Sequence, residues 1–256
     1  MSWSFRSSRV PLTALGICVR ILWVAPEAHA EAIDLRSDGT WGVYDADPAS
    51  GPASFLGLAE PVCLNGSYPS RCPAGAVFYG WPYSGWAADL SSIPDAYWIW
   101  GPGVTGTTRP SNLVGYFFST TVSLTGIPLS GSMAIAVDDF AALYVNGVLA
   151  GAEGSTTDFG LAAGAQSVLH AIDMTSLLVL GSNTITIFAQ NGSSSVSGCT
   201  EPCSYADDPA GVVFGGTIEQ AQAPVPEPTT LALLATGCGG LIWRRRRISK
   251  LRLSSR

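Results

Sequence analysis

The side chains that can carry acid–base or nucleophilic chemistry are few in this chain of 256 residues. The two histidines are His29 and His170, and the single lysine is Lys250. Because catalysis at neutral pH usually draws on His, Lys, Cys or paired carboxylates, the remaining candidates are the acidic pairs Asp138-Asp139 and Asp207-Asp208. Two carboxylates at the right separation could hydrolyse a glycosidic bond.

The pair Asp138-Asp139 directly follows the apolar run Met133–Val137, so we expect it to end a strand. Neighbouring residues of a strand point to opposite faces, and the two carboxylates should therefore not line one cleft. We expect one of them to accept hydrogen bonds from the amides of the following turn. The alternative is that Asp138 or Asp139 joins carbonyl oxygens around a structural Ca²⁺.

His170 is the one histidine outside the N-terminal region, in the segment Leu169–Asp173. We interpret that segment as the start of a short helix and predict a partly exposed histidine at a strand end rather than a catalytic base. With this histidine set aside and no lysine before Lys250, the residues favour a protein without catalytic activity or an organic cofactor.

Aromatic residues are dense between residues 78 and 100. Flat rings can stack on the apolar faces of sugars, and exposed Trp and Tyr are frequent at binding surfaces. Trp81, Tyr83 and Trp86 have Gly and Pro neighbours, which are typical of a loop, and they are the candidates for sugar stacking. Strand alternation places Trp98 and Trp100 on one face, and we expect these two to pack inward.

The charge of the chain is unevenly distributed. Residues 31–223 contain three arginines, no lysine and 17 acidic residues, a balance of about −14. Affinity for nucleic acid comes mainly from Lys and Arg that neutralise phosphates, so this composition excludes a nucleic-acid-binding domain. With 47% hydrophobic residues the chain has enough apolar surface for a folded core.

The first thirty residues have the layout of a secretory signal peptide. Arginines near the start precede the apolar run Val10–Val19, and the small-x-small triplet Ala28-His29-Ala30 follows. We expect export through the Sec translocon and cleavage after Ala30 or after Ala32. Arg20 interrupts the apolar region at a cost, and an uncleaved amphipathic N-terminus is the alternative.

The C-terminal region reads as a membrane anchor. A linker at 221–228 contains Pro226, Glu227 and Pro228, and residues 229–243 follow without a charge. Fifteen residues of helix span about 22 Å, less than the ~30 Å hydrocarbon core, but local thinning and snorkelling arginines can compensate. The basic tail 244–256 begins with Arg244, Arg245, Arg246 and Arg247. By the positive-inside rule this tail is cytoplasmic, so the middle of the chain lies outside.

This ending resembles the PEP-CTERM sorting signal of exported bacterial proteins. The Pro-Glu-Pro tripeptide, the short glycine-containing apolar run and the arginine cluster occur in that order. The resemblance implies recognition by an exosortase-type membrane peptidase, removal of the hydrophobic tail, and delivery to the cell surface or the exopolysaccharide matrix. A plain tail-anchored protein is the alternative.

Six cysteines divide by location. Cys18 and Cys238 lie in the two terminal segments, and four lie in the exported part: Cys63, Cys72, Cys199 and Cys203. An even number in an oxidising compartment predicts disulfides. We favour 63 with 72 and 199 with 203, because each pair encloses a short loop with a proline. A zinc site is the alternative, although the spacing is not that of CxxC pairs.

Short alternating or β-branched runs recur through the middle of the chain, between clusters of Gly, Pro, Asn and Ser, and they indicate strands. In the predicted strand 114–124, residues 116, 118, 122 and 124 should face the core, and Phe117, Ser119, Thr121 and Ser123 the wetter side. Asn146-Gly147 predicts a type I′ hairpin. The one helix expected is Met174–Leu180, capped by Gly181. The predicted strands are 114–124, 132–137, 141–145, 148–150, 183–190 and 211–218.

Three segments, Ser132–Gly147, Ile172–Met174 and Leu180–Ile187, are similar to the galactose-binding-like jelly-roll β-sandwich. In that family a strand ends in paired acids, a hairpin carries a Tyr-Val-Asn-Gly-like turn, and Gly-x-Asn leads into a late core strand. The resemblance implies a single all-β sandwich over residues 31–220. A first strand near Ile33 and an irregular, Trp/Gly/Pro-rich insertion at about 45–95 would complete it.

Three functions remain in order of preference. The first is a non-catalytic surface or extracellular-matrix protein that associates with exopolysaccharide in a biofilm. The second is a lectin-like carbohydrate-binding module with one preferred sugar. The third is a glycoside hydrolase, which would need a concave site with two suitably separated carboxylates.

Overall fold

The computed structural model describes residues 30–64, 72–73, 75–79, 85–87, 89–105, 112–197 and 208–221. These residues belong to one compact unit, Ala30–Ala223. Its strands are β1 Ala30–Arg36, β2 Gly42–Tyr44, β3 Phe55–Leu58, β4 Glu60–Leu64, β5 Val77–Tyr79, β6 Ile99–Trp100, β7 Gly115–Leu124, β8 Pro128–Asp138, β9 Phe140–Val145, β10 Val148–Gly154, β11 His170–Asp173, β12 Gly181–Gln190 and β13 Gly211–Ala221. Its helices are α1 Phe159–Ser167, a 3₁₀ turn Thr175–Leu177 and the short α2 Ser194–Ser197.

The strands form two sheets. One sheet has the order β11-β8-β13-β6-β4-β5, with β1 also paired to β13, and the other has the order β10-β9-β12-β7-β2-β3. The described pairs are antiparallel except β4 with β5. The predicted all-β sandwich is confirmed.

The core lies between the two sheets and follows strand alternation. In β12, Ile185, Ile187 and Ala189 are fully buried, and each lies opposite an apolar residue of β9. From the other sheet, Val212 and Phe214 of β13 are also fully buried. The six predicted strands are confirmed, most of them slightly longer than expected.

The two ends of the described unit lie side by side. Ala30 at the start of β1 pairs with Ala221 at the end of β13, and the Gln220 side chain donates to Glu31 at 3.1 Å. Gly126 packs against the same corner, since an added Cβ there would clash with the carbonyl oxygen of Ala221. The N-terminus and the C-terminus of the described unit therefore lie at the same end of the strands. Ala221 itself lies in β13, although the sequence placed it in the linker.

Three sequence expectations are corrected. The predicted helix Met174–Leu180 is only a 3₁₀ turn, and Gly181 begins β12 at φ 95° instead of capping a helix. Helix α1 was not expected; its N-cap Asp158 accepts a hydrogen bond from the Leu161 amide at 3.0 Å. The segment 45–95, predicted as irregular, contains three short strands, β3, β4 and β5. These strands extend both sheets, and a pattern of three to five residues is too short to reveal them from the sequence.

The Asn146-Gly147 turn is confirmed, with φ of 54° and 78°. We predict that Gly147→Ala lowers the free energy of unfolding by about 1–2 kcal/mol, because an L-residue is strained in this conformation. The added Cβ would also lie 3.1 Å from the Ser50 hydroxyl.

Gly164→Ala is the matched control, since Gly164 lies inside α1 with no atom within 4 Å of an added Cβ. That variant should gain about 0.5–1 kcal/mol. Denaturant unfolding measures both changes, and equal stability of the two variants would contradict the prediction.

Candidate functional site

Two carboxylates meet in the interior at the corner where the chain passes from one sheet to the other. Asp138 is the last residue of β8, and Asp139 lies between β8 and β9. They are 7% and 5% exposed, and their side chains are hydrogen-bonded to each other. The expectation that they point to opposite faces is wrong, because Asp139 lies outside both strands and strand alternation does not extend to it.

Asp138 also receives hydrogen bonds from two other parts of the chain. The indole Nε1 of Trp86 donates to Asp138 Oδ2 at 2.7 Å. The amide of Gln166 in α1, with its nitrogen turned toward the carboxyl group, donates to Asp138 Oδ1 at 3.2 Å. Asp138 therefore connects β8, helix α1 and the segment that carries Trp86.

Asp139 is held by the loop that follows β12. The Gly192 amide donates to Asp139 Oδ2 at 2.6 Å, and an added Cβ on Gly192 would lie 2.6 Å from the same oxygen. Only glycine allows the backbone to approach so closely. The predicted hydrogen bonds to the turn after the pair are thus replaced by one to a distant loop. Next to Gly192, Asn191 donates to Asp208 at 3.1 Å.

The environment of the pair favours one shared proton. Burial, followed by the charge of Asp139, raises the pKa of Asp138 well above its usual range, although the hydrogen bond from Trp86 acts in the opposite direction. Burial also raises the pKa of Asp139, while the hydrogen bonds from Asp138 and the Gly192 amide lower it. Two adjacent buried carboxylates cannot both ionise easily, so a neutral Asp138 donates to an ionised Asp139.

This geometry bears on the catalytic and metal hypotheses. Glycosidases hold a sugar between carboxyl groups about 5–9.5 Å apart, whereas these two are in direct contact and buried. Among the described residues, no three His, Cys, Asp or Glu side chains are grouped as metal ligands. The calcium site at Asp138 or Asp139 stays a prediction, and Asp207 lies outside the described residues.

His170 begins β11 and is partly exposed. Its Nδ1 lies 3.5 Å from Glu153 Oε2, and its Nε2 lies 3.4 Å from the Gly164 carbonyl oxygen. The predicted position at a strand end is confirmed, and the expected start of a helix at Leu169–Asp173 is wrong.

Of the aromatic candidates between 78 and 100, some are buried in the core and the others lie outside the described residues. Trp86 is 5% exposed and stacks on Trp98 with ring centroids 4.1 Å apart. Neither face of a ring so placed is open to a sugar, so the stacking role predicted for Trp86 is corrected. Trp98 and Trp100 are buried as expected. Trp81 and Tyr83 lie outside the described residues.

A different set of aromatic side chains lies on the outer face of the six-stranded sheet, and we call it the aromatic row. Tyr44 pairs with Phe55 on one side and with Phe117 on the other, and Phe117 pairs with Phe188. Ring centroids are 5.5 Å apart for Tyr44–Phe55 and 4.6 Å for Phe117–Phe188. Phe140 continues the row, 6.3 Å from Phe188.

The row is accessible to different degrees along its length. Phe55 is 58% exposed, and the other four rings are partly exposed. Polar side chains lie on the same face beside it, where Ser119 and Thr186 share a hydrogen bond at 3.0 Å. Asp47, in the loop between β2 and β3, accepts from the Thr186 hydroxyl at 3.1 Å. Ser119 and Thr186 are buried, 7% and 0% exposed, so their hydroxyl groups are engaged inside the protein and the rings are the accessible part of this row.

A cleft of about 430 Å³ opens between β1 and β7. It is lined by Asp34, Arg36 and Asp38 on one side and by Thr120 to Ser123 on the other. The Asp38 carboxylate is already engaged by the amide and hydroxyl of Thr40, and Asp34 accepts from Thr217 at 3.3 Å. The carboxylates that line the cleft, Asp34 and Asp38, thus already accept hydrogen bonds from neighbouring residues.

The structure contains the Cys63–Cys72 disulfide, with Cα atoms 6.0 Å apart. This pairing is the one favoured from the spacing, and it removes two of the four thiolates that a zinc site would need. Cys199 and Cys203 lie outside the described residues.

The sorting elements also lie outside the described residues. They include Ala28, Pro226, Glu227, Pro228 and the arginines 244–247, whereas Ala30 begins β1. Within the described part of the chain, no helix is long and apolar enough to cross a membrane.

Comparison with protein families shows that residues 224–247 match the PEP-CTERM protein-sorting motif. The chain therefore carries this motif, as its sequence indicated. Comparison with curated proteins gives no significant match.

Solved structures similar in fold include three glucuronidases. They are an FMN-binding beta-glucuronidase from Facaelibacterium prausnitzii L2-6 (16% identity, 74% of this chain and 23% of that chain, TM-score 0.32), a beta-D-glucuronidase from Dictyoglomus thermophilum (10%, 77% and 29%, 0.34) and a Bacteroides uniformis beta-glucuronidase (10%, 73% and 18%, 0.36). This chain spans less than a third of the length of each.

Proposed function

We propose that the chain is an exported, non-catalytic protein of the cell surface or extracellular matrix, whose β-sandwich associates with exopolysaccharide. The observation that carries the proposal is the sorting motif at 224–247, which begins three residues after the last strand ends at Ala221. A PEP-CTERM motif implies processing by an exosortase and membrane-anchored sorting. The folded unit would thus be the exported cargo and the C-terminal segment its address.

The acidic pair supports the non-catalytic part of this proposal. Asp138 and Asp139 are buried, bonded to each other and held by Trp86 and Gly192. A buried hydrogen-bonded network of this kind fixes the corner between β8 and β9, which is a structural role. Incubation of the purified protein with matrix polysaccharide should release no new reducing ends.

Localisation tests the sorting. We expect the full chain to be retained at the cell envelope or matrix, and a variant that lacks residues 224–256 to appear mainly in the cell-free medium. The matched control lacks only residues 248–256, which lie beyond the matched motif, and it should be retained like the full chain. Immunoblots of envelope, matrix and medium fractions make the comparison. If the two truncated proteins distribute alike, the proposed sorting is wrong.

A second candidate function, a lectin-like module with one preferred sugar, is favoured by the aromatic row. The distinction is specificity: a lectin would bind a single sugar with saturation, and free monosaccharide would compete. A matrix protein would bind polymers broadly and ignore the monosaccharide.

A further inference from the structure

We propose that the aromatic row is the contact surface for an uncharged linear polysaccharide. The inference rests on the proposed function and names its ligand class and its residues. Four rings are in register across neighbouring strands, Phe55, Tyr44, Phe117 and Phe188, and Phe140 is offset by one pleat on the next strand.

The shape of the row suits a linear ligand. It crosses five strands, β3, β2, β7, β12 and β9, perpendicular to their direction. At about 4.8 Å between strands, its length is about 19 Å. A row of this length is long enough for several consecutive sugar rings and only one ring wide.

The chemistry of the face favours a sugar over a lipid. The rings present apolar area, and two threonines farther along the same face of β7 and β12, Thr121 and Thr184, are exposed and partly exposed. Sugars pair an apolar C–H face with a rim of hydroxyl groups, so stacking and hydrogen bonding are available together. A lipid surface would instead gain from continuous apolar area.

The negative charge of the folded unit favours uncharged polysaccharides over anionic ones. The body at 31–223 has a balance of about −14 and contains no lysine, and Asp45 and Asp47 lie in the loop beside the row. Like charges repel, so an anionic polymer such as a uronate chain is disfavoured. An uncharged polymer meets no such penalty.

The row also lies away from Ala30 and Ala221, the two termini of the described unit. Phe117 and Phe188 lie toward the Gly115 and Gln190 ends of β7 and β12. Ala30 and Ala221 meet at the other end of the strands.

Affinity electrophoresis of the exported protein tests the inference. The gels contain hydroxyethylcellulose, dextran or galactomannan as uncharged probes, and alginate as an anionic probe. We expect retardation by at least one uncharged polymer and none by alginate. Phe55→Ala with Phe117→Ala should weaken the retarding interaction at least about tenfold, equivalent to about 1.4 kcal/mol. Phe55→Trp, which keeps a ring at the exposed end, should bind like the wild type.

Phe159→Ala is the matched control. Phe159 is an aromatic residue that is 64% exposed. It lies on helix α1, which packs on β8 and β10 and is therefore away from Phe55 on β3. Thermal unfolding and gel filtration accompany each binding measurement. Native-like melting with unchanged binding in the double variant, retardation by alginate alone, or no retardation by any uncharged probe would overturn the inference. A wild-type dimer that becomes a monomer in the double variant would assign the row to a second copy of the chain instead.

The two proposals fail in different ways. If the row variants lose polysaccharide binding but remain sorted, the inference and the sorting are both supported. If the truncated chain without 224–256 stays on the envelope while the row still binds polymer, the sorting fails and the row stands.

Discussion

Replacing Trp86 with alanine is expected to lower the free energy of unfolding by about 4 kcal/mol or more. Removal of a buried tryptophan costs about 3–5 kcal/mol, and Trp86 is 5% exposed and stacked on Trp98. The substitution also deprives the buried Asp138 of its indole donor, which adds about 1–3 kcal/mol. Because small domains are stabilised by about 5–15 kcal/mol in total, this variant should be close to unfolding at room temperature.

Guanidinium unfolding measures the effect, with two controls. Trp86→Phe keeps a ring against Trp98 but removes the N–H donor, so its loss should be smaller, about 1–3 kcal/mol. Phe159→Ala removes an aromatic ring that is 64% exposed and should change stability by no more than about 0.5 kcal/mol. A loss at Trp86→Ala no larger than at Phe159→Ala would place Trp86 outside the core and restore it as a candidate for sugar stacking.

The strands that the sequence predicts are those whose pattern is long enough to be distinctive. β7 and β12 are ten residues each, and alternation over that length specifies which side faces the core. The Asn146-Gly147 turn was predictable because its two residues tolerate positive φ. By contrast, β3, β4 and β5 have three to five residues each and are stabilised by pairing with distant segments.

The sequence of helix α1 contains one local helix signal, its N-cap, but no amphipathic pattern. Its nine residues, Phe159–Ser167, contain Ala and Gly on all sides, so no apolar stripe marks a helix. Asp158 just before it is a favourable N-cap, and this was the one indication in the sequence.

The candidate surfaces needed pairing information that a single sequence lacks. Phe117 could be assigned to the outer side of β7 from alternation, but its neighbours Tyr44 and Phe188 are far away in the chain. Their approach depends on strand order and register. The acidic pair was misread for a related reason, because the position of Asp139 is set by a corner between two sheets and by Gly192.

The pH dependence of stability should change when Asp138 is replaced by asparagine. Burial and the neighbouring Asp139 raise the pKa of Asp138 in the folded protein, whereas an unfolded aspartate titrates near 3.9. Between these two values the folded state binds more protons than the unfolded state, so stability falls as the pH rises. In the wild type we therefore expect a decline that begins near pH 4 and ends once the folded-state pKa of Asp138 is passed.

Asp138→Asn removes this decline, because the amide cannot ionise and can still accept from Trp86 and donate to Asp139. The variant should match the wild type near pH 4 and exceed it at neutral pH, by about 1.4 kcal/mol for each unit of pKa shift. Melting temperatures across this pH range measure the difference.

Asp173→Asn is a control of opposite sign. Hydrogen bonds from the Thr175 hydroxyl and amide lower the pKa of the exposed Asp173, so its contribution to stability is present above the unfolded pKa and is lost as the pH falls. That variant should lose stability at neutral pH and converge with the wild type in acid. Asp173→Asn removes a negative charge from the folded protein, whereas Asp138→Asn replaces a carboxyl group that is already neutral there, so a general relief of charge repulsion would stabilise the Asp173→Asn variant, opposite to the loss expected here. If Asp138→Asn also loses stability at neutral pH, the buried pair is not held by a shared proton.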